Sequence, residues 1–457
     1  MGEYNYYKMR QDLRTAINLR SKGFRLYFAN TSWLVAEKII SMAISFFVGV
    51  YVARYLGPDR LGLLSYSQSF VMLFAPLANL GLDSIVVREL VKDETKRDVL
   101  LGTSFGLKVA GVLIVWSVLA SVIPLTNNDG YTNLLIVVIA SSLLFQNFGV
   151  IDFYFQAKVL SKYTVTARIV TGILISTIKI GLIIFQAQLI WFALVILLQH
   201  LILGVFFVVV HRVRKLSILQ WRFDKEIAKR LIKDSWPLMF AGLMIVVYMK
   251  IDQVMLKNML DDTQVGIYAV AVRLSEVWYF IPVLIIQSIF PAVINAKKGD
   301  ALVYQKRMQQ LYDLMTFLSL GIAIIVTFCS SWIMNTLFGQ AYLGSDKVLA
   351  IHIWAGVLVF FGTARGKWII AENLQRKALI VHITGAVLNV ILNLILIPDY
   401  GAVGAALATF FSYACANIIT SIAIKEFRMP FIMYMKSFVH CITFKIVRQA
   451  VTGKYVI

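Results

Sequence analysis

Residues 235–260 read SWPLMFAGLMIVVYMKIDQVMLKNML, an apolar run of Met, Ile, Val and Leu that nevertheless carries Lys250 and Asp252. A hydrocarbon core of roughly 30 Å is crossed by about 20 helical residues, so this run is long enough to span it. The composition around it agrees: 59% of the 457 residues are apolar, only 15% are charged, and the mean hydropathy is +0.77. These values lie outside the range of soluble domains. Turn-rich alternating segments, the mark of a membrane β-barrel, are scarce, so each crossing is read as a helix. The expected fold is an all-α polytopic membrane protein.

Twelve candidate spans follow from the apolar windows, near 28–53, 61–86, 100–124, 131–156, 163–186, 189–210, 235–260, 266–294, 309–334, 346–370, 377–397 and 402–424. Their connectors are alternately basic and nearly uncharged. One set holds most of the Lys and Arg, whereas the other set holds only Arg54, Arg60, Lys257 and Lys347. Positively charged loops stay in the cytoplasm, which places both termini there. The first 27 residues are charged and lack an apolar core, so the first span is expected to direct insertion. Topology and attraction to anionic inner-leaflet lipid account for the net charge of +20, and no basic domain outside the membrane is large enough to fold around nucleic acid. The longest polar connector, HRVRKLSILQWRFDKEIAKRLIKD at 211–234, reads as a short surface helix.

The halves repeat. SWLVAEKIISMAISFFVGVYVARYLGPDRLG at 32–62 parallels SWPLMFAGLMIVVYMKIDQVMLKNMLDDTQVG at 235–266, each running from Ser-Trp to a Gly that opens the next span. AKVLSKYTVTARIVTG at 157–172 parallels AENLQRKALIVHITG at 371–385 in the same order. The expected organisation is a cytoplasmic segment 1–27, a six-helix lobe 28–210, the basic linker 211–234, a second six-helix lobe 235–424, and a cytoplasmic tail 425–457. Two such pseudo-symmetric lobes are expected to enclose a central cavity that opens alternately to either side.

Charges inside spans mark that cavity, because they are costly in lipid and turn toward water or a partner. Lys250 and Asp252 are two residues apart, about 200° around a helix, and cannot share a face. Arg273 and Glu276, three apart, do share one, at a depth comparable to that of Lys250. These four are expected to form one polar cluster. Lys38, Lys179, Arg365 and Lys367 add cations and Glu37 one carboxylate, which makes the expected cavity net positive and suited to phosphate. Trp278, Tyr279 and Phe280 beside the cluster offer faces for sugars, and Pro76, Pro282 and Pro291 would bend moving helices. Interhelical salt bridges, snorkelling of Arg365 and Lys367, and aromatic anchoring are the alternative readings. Cys329, Cys415 and Cys441 lie far apart and the five His are scattered, so no metal site is legible. No phosphate-binding nucleotide loop occurs, and neither a catalytic residue nor a cofactor is expected.

ARYLGPDRLGLLSYSQSF, then SWPLMFAGLMIVVYMKIDQVML and VGIYAVAVRLSEVWYFIP, resemble the polysaccharide-transport branch of the multidrug/oligosaccharidyl-lipid/polysaccharide (MOP) exporter superfamily, in particular Wzx-type O-antigen flippases. The resemblance extends over nearly the whole chain and is most specific from Trp236 to Pro291. It implies a MATE-like fold and a bacterial inner-membrane protein that moves an undecaprenyl-diphosphate-linked oligosaccharide from the cytoplasmic to the periplasmic leaflet. It further implies Asp252 as the acidic position of the seventh helix and Arg273 as the basic position of the eighth. Glu37-Lys38 stands where lipid-II flippases usually carry Arg-Asp, which argues against a peptidoglycan precursor. A monomer is sufficient for such a pathway, with association to polysaccharide polymerase machinery a further expectation. Coupling to a proton gradient or membrane potential would fall to Asp252 or Glu276. Two other functions stay open: a cation-coupled multidrug exporter, which would favour a carboxylate-rich cavity, and a membrane glycosyltransferase or polymerase, which usually needs larger outer loops.

Overall fold

The computed structural model describes residues 22–297, 300–372 and 374–443. Most of the amino-terminal segment, residues 1–21, and the end of the tail, 444–457, lie outside the described residues. Among those described, every regular element is a helix or a short 3-10 turn. In chain order the α-helices are α1 (Lys22–Asn79), α2 (Asp83–Lys92), α3 (Arg97–Val122), α4 (Gly130–Gln146), α5 (Val150–Ala157), α6 (Lys162–Ile184) and α7 (Leu189–Val213). They continue with α8 (Lys225–Met259), α9 (Asp262–Glu276), α10 (Phe280–Lys297), α11 (Ala301–Phe338), α12 (Ser345–Ala371), α13 (Gln375–Ala423) and α14 (Arg428–Ile442).

Ten helical runs among the described residues are long and apolar enough to cross a membrane. The surface confirms the solvent they require: Phe47, Ile184, Phe328 and Trp332 point outward, an apolar exterior that suits lipid tails rather than water. Tyr66, Phe192, Tyr268, Tyr312 and Phe361 are buried inside. Aspartates start several helices by accepting a backbone N–H in the first turn: Asp129 from Thr132, Asp224 from Ile227, Asp261 from Gln264 and Asp300 from Leu302.

Two runs are too long for one crossing. At 1.5 Å per residue the 58 residues of α1 would reach roughly 87 Å. The run breaks at Gly57 (φ 72°, ψ 173°), whose left-handed backbone favours glycine, and restarts at Pro58, where a missing N–H costs nothing. The 49 residues of α13 break likewise at Gly401 (φ 57°, ψ −134°), three residues after Pro398. Both breaks fall in the gaps between neighbouring spans expected from the sequence.

The glycines that end the two parallel stretches meet. A Cβ on Gly62 would lie 1.8 Å from the Asp262 carbonyl oxygen, and one on Gly266 would lie 2.1 Å from that of Pro58. Each glycine thus packs on the residue four positions before the other, a reciprocal crossing of α1 and α9 that only hydrogen side chains permit. Thr263 donates to Asp59 beside it. Tyr342 donates to the Ala53 carbonyl at 2.7 Å, and the Arg54 guanidinium donates to the carbonyls of Leu337 and Thr336 at 2.6 and 2.5 Å. This end of the molecule is tied together from both halves. At the basic end, Gly81 (φ 64°) approaches the backbone of Ser235 and Met239, and Arg88 pairs with Asp234 at 2.7 Å.

Two expectations require correction. The 211–234 connector is a surface helix only in its second part: α7 ends at Val213, a 3-10 turn covers Ile218–Gln220, and α8 begins at Lys225, with Lys225, Glu226, Lys229, Arg230 and Lys233 exposed. Its apolar residues are the reason. Trp221 packs on Phe105 at 5.5 Å and Phe223 approaches Gly106, while the Arg222 N–H donates to the Asp98 carbonyl, so the connector docks on α3. The eighth span, expected to bend at its prolines, tightens into the 3-10 turn Val277–Tyr279 ahead of Pro282, which sits in the first turn of α10.

Candidate functional site

A cavity of about 800 Å³ lies between helices of both halves. Gly49, Gln68 and Ser69 of α1, Gln146 of α4, Lys179 of α6 and His200 of α7 form one side. Lys250 and Gln253 of α8 with Arg273 and Glu276 of α9 form the other. Ser69 donates to Gln253 at 2.8 Å, joining the halves across the cavity wall.

The charges within it are unequal. Lys250 lies 3.4 Å from Glu276, so the single lining carboxylate already has a cation. Arg273, one helical turn before Glu276, is solvent-accessible and has neither a hydrogen bond nor an ion pair among the described residues. Its guanidinium is held against the backbone of Gly49, where a Cβ would fall 3.0 Å from Nη1. Lys179 stands near enough for repulsion between it and Arg273. Three cations facing one carboxylate leave the cavity positive. The cations of this wall give charge-assisted hydrogen bonds, which phosphate oxygens can accept.

Asp252 is absent from this cavity. It is 1% exposed and receives hydrogen bonds from Tyr268 at 2.5 Å, Asn393 at 2.6 Å and Thr409 at 2.6 Å. The expected cluster of four is therefore a cluster of three, because the 200° between Lys250 and Asp252 sends the carboxylate toward α13. No cation pairs with Asp252 among the described residues. A buried carboxylate so arranged can be neutralised by a proton or a small cation.

The remaining expected residues lie elsewhere. Lys38 is exposed, and Glu37 accepts from Ser41 at 3.2 Å on the same helix; neither lines the cavity, which corrects their assignment. Arg365 is buried in a separate cavity, and Lys367 sits 5.4 Å over the Phe290 ring. Trp278, Tyr279 and Phe280 are outside the central cavity wall as well. His200, whose Nδ1 hydrogen-bonds the Ile196 carbonyl at 2.9 Å, and the glutamines at 68, 146 and 253 also line the cavity, beyond the charges expected there. Their signal was available: an amide or imidazole inside an apolar window is nearly as conspicuous as a charge.

Residues 27–297, more than half of the chain, match the polysaccharide biosynthesis protein family. The chain belongs to that family. Among curated relatives, this family member is 25% identical over 188 residues to the probable flippase AglR of Haloferax volcanii. That match covers 38% of this chain and 37% of AglR. Among solved structures, the inward closed lipid II flippase MurJ superposes with a TM-score of 0.65 at 14% identity, covering 92% of this chain and 93% of MurJ. An inward-facing multidrug resistance MATE family transporter of the MOP superfamily gives 0.65 at 15%, covering 85% and 95%. The chain shares its fold with both of these structures.

Proposed function

We propose that this chain is a transporter that moves a lipid-linked oligosaccharide between membrane leaflets by alternating access, with an undecaprenyl-diphosphate carrier as substrate. The observation that carries the reading is the cavity between the halves, where Arg273, Lys179 and Lys250 face the single carboxylate of Glu276. Arg273 would hold the diphosphate bidentately, Lys179 would add a point charge, and the Lys250–Glu276 pair would open to release a third cation. Gln68, Gln146 and Gln253 would meet glycan hydroxyls. The polyprenyl tail would stay in lipid throughout.

In this proposal the chain crosses the bacterial inner membrane twelve times in two lobes, the breaks at Gly57 and Gly401 separating the first and last pairs of spans. Both termini face the cytoplasm, and the Gly62–Gly266 crossing closes the periplasmic end. Asp252 is the coupling carboxylate, taking up a proton from the gradient. An O-antigen-type repeat unit is the favoured cargo. The family and the flippase name of AglR support the substrate class, and the positive cavity separates this reading from a cation-coupled drug exporter. Reconstituted leaflet exchange of a fluorescent polyprenyl-diphosphate oligosaccharide tests it: exchange above protein-free vesicles is expected, and uptake of cationic dyes without glycolipid exchange would overturn it.

A further inference from the structure

A second cavity, of about 1,390 Å³, is bounded by α8, α12 and α13, with Arg88 of α2 at one edge. It shares no lining residue with the central cavity. Arg365 of α12 lines it and is 5% exposed. Its Nε and Nη1 have no hydrogen-bond partner. The guanidinium carbon lies 5.2 Å from the Phe361 ring centre and 5.6 Å from that of Phe427. Two ring faces offset part of the cost of burying the ion and leave its charge uncompensated.

The other charges around this cavity do not cancel it. Asp234 is the lining carboxylate, and it is held by Arg88 at 2.7 Å. Lys233 adds a further cation. Tyr248 stacks on His382 with ring centres 6.0 Å apart and planes 12° from parallel. Asn417 gives its N–H to the Tyr413 carbonyl at 2.7 Å, and its Oδ1 is unpartnered. Most of the remaining wall is apolar, including Leu238, Leu358 and Leu379. The cavity is open along the Arg365 helix, since a Cβ on Gly362 or Gly366 would meet nothing within 4 Å. An occupant that suits this cavity brings planar or tetrahedral acceptor oxygens for Arg365 and an apolar stem for the leucine wall.

We propose that this cavity is a binding site for the phosphate group of an amphiphile, separate from the central cavity. The phosphate oxygens accept from Arg365, and the hydrocarbon lies against Leu238 and Leu358. The phosphate has two possible sources, an anionic phospholipid of the bilayer and a polyprenyl phosphate or diphosphate carrier. The site does not rest on the flippase reading, because the first source is present around any membrane protein.

The test is native mass spectrometry of the full-length protein, titrated in turn with phosphatidylglycerol, farnesyl diphosphate, phosphatidylcholine, farnesol and inorganic phosphate. Wild type is expected to retain at least one anionic amphiphile and to lose it by about tenfold or more in Arg365→Met, while Arg60→Met, at an exposed position that lines neither cavity, retains it. Arg365→Lys should fall between. Gly362→Leu, which fills the cavity and keeps the guanidinium, should lose the ligand too, and it keeps the test decisive if Arg365→Met fails to fold. Retention of phosphatidylglycerol alone assigns the site to bilayer lipid, and retention of farnesyl diphosphate alone assigns it to the carrier; either supports the proposal. Unchanged binding in both Arg365→Met and Gly362→Leu overturns it. So does an equal loss in Arg60→Met, or equal binding of farnesol or of inorganic phosphate alone.

Discussion

Arg273 is the residue on which the central cavity turns. The nearby Glu276 is already paired with Lys250, and Gly49 leaves room for the Arg273 guanidinium. Losing a hydrogen bond to a charged group costs about 1.5–3 kcal/mol, so Arg273→Ala is expected to lower glycolipid exchange by about tenfold or more at normal protein abundance. Arg273→Lys should recover only part, since an ammonium lacks the planar fork. Wild-type exchange by a well-folded Arg273→Ala protein would remove the residue from the mechanism. Asp252 makes the opposite prediction. Asn at 252 keeps a polar group for Tyr268, Asn393 and Thr409 while removing the charge. Exchange in Asp252→Asn vesicles should persist without responding to an imposed proton gradient, and an undiminished response would exclude this carboxylate from coupling.

Helices and their junctions decide where these residues sit. The Gly62–Gly266 crossing leaves no volume for a methyl group on either side, because the atoms it would meet are backbone. Gly62→Ala and Gly266→Ala are each expected to destabilise the protein by about 1–3 kcal/mol, by thermal unfolding in detergent, and to nearly the same extent. An effect at only one of them would contradict the reciprocity. Much of this level was legible in the sequence. The gaps after residues 53 and 397 bracket the breaks at Gly57 and Gly401, since glycine and proline punctuate a helix wherever they occur. The 3-10 turn at Val277–Tyr279 and the docked connector were not legible. Nothing local forbids a helix through Trp278, and the course of Trp221 is set by Phe105, more than a hundred residues away. The site was legible by the same division. Helical angle kept Arg273 with Glu276, but it did not place Asp252, expected in the same cluster, against Asn393 and Thr409 of α13. Which helix faces each charge is tertiary information, so Lys38 was placed in a cavity that it does not line, and Arg365 in the wrong one.

At the scale of the whole molecule, the tied end formed by Gly62, Gly266, Asp59 and Thr263 must part if the central cavity is to open there. Asp59 and Thr263 are hydrogen-bonded across that end. Cysteines at these two positions, in a chain with Cys329, Cys415 and Cys441 replaced, are expected to form a disulfide on oxidation. Oxidation should stop exchange and a reductant should restore it. Undiminished exchange in the fully cross-linked protein would mean that this end does not open during the cycle.

The central claim is that a positive cavity between two halves carries a lipid-linked glycan. Its most direct measurement is the rate at which purified protein in sealed vesicles moves a fluorescent polyprenyl-diphosphate oligosaccharide from one leaflet to the other, read by quenching of the outer leaflet. Exchange well above protein-free vesicles, lost in Arg273→Ala, is the predicted result. Exchange equal to that of protein-free vesicles across glycans of several lengths, by protein that still unfolds cooperatively, would contradict the claim.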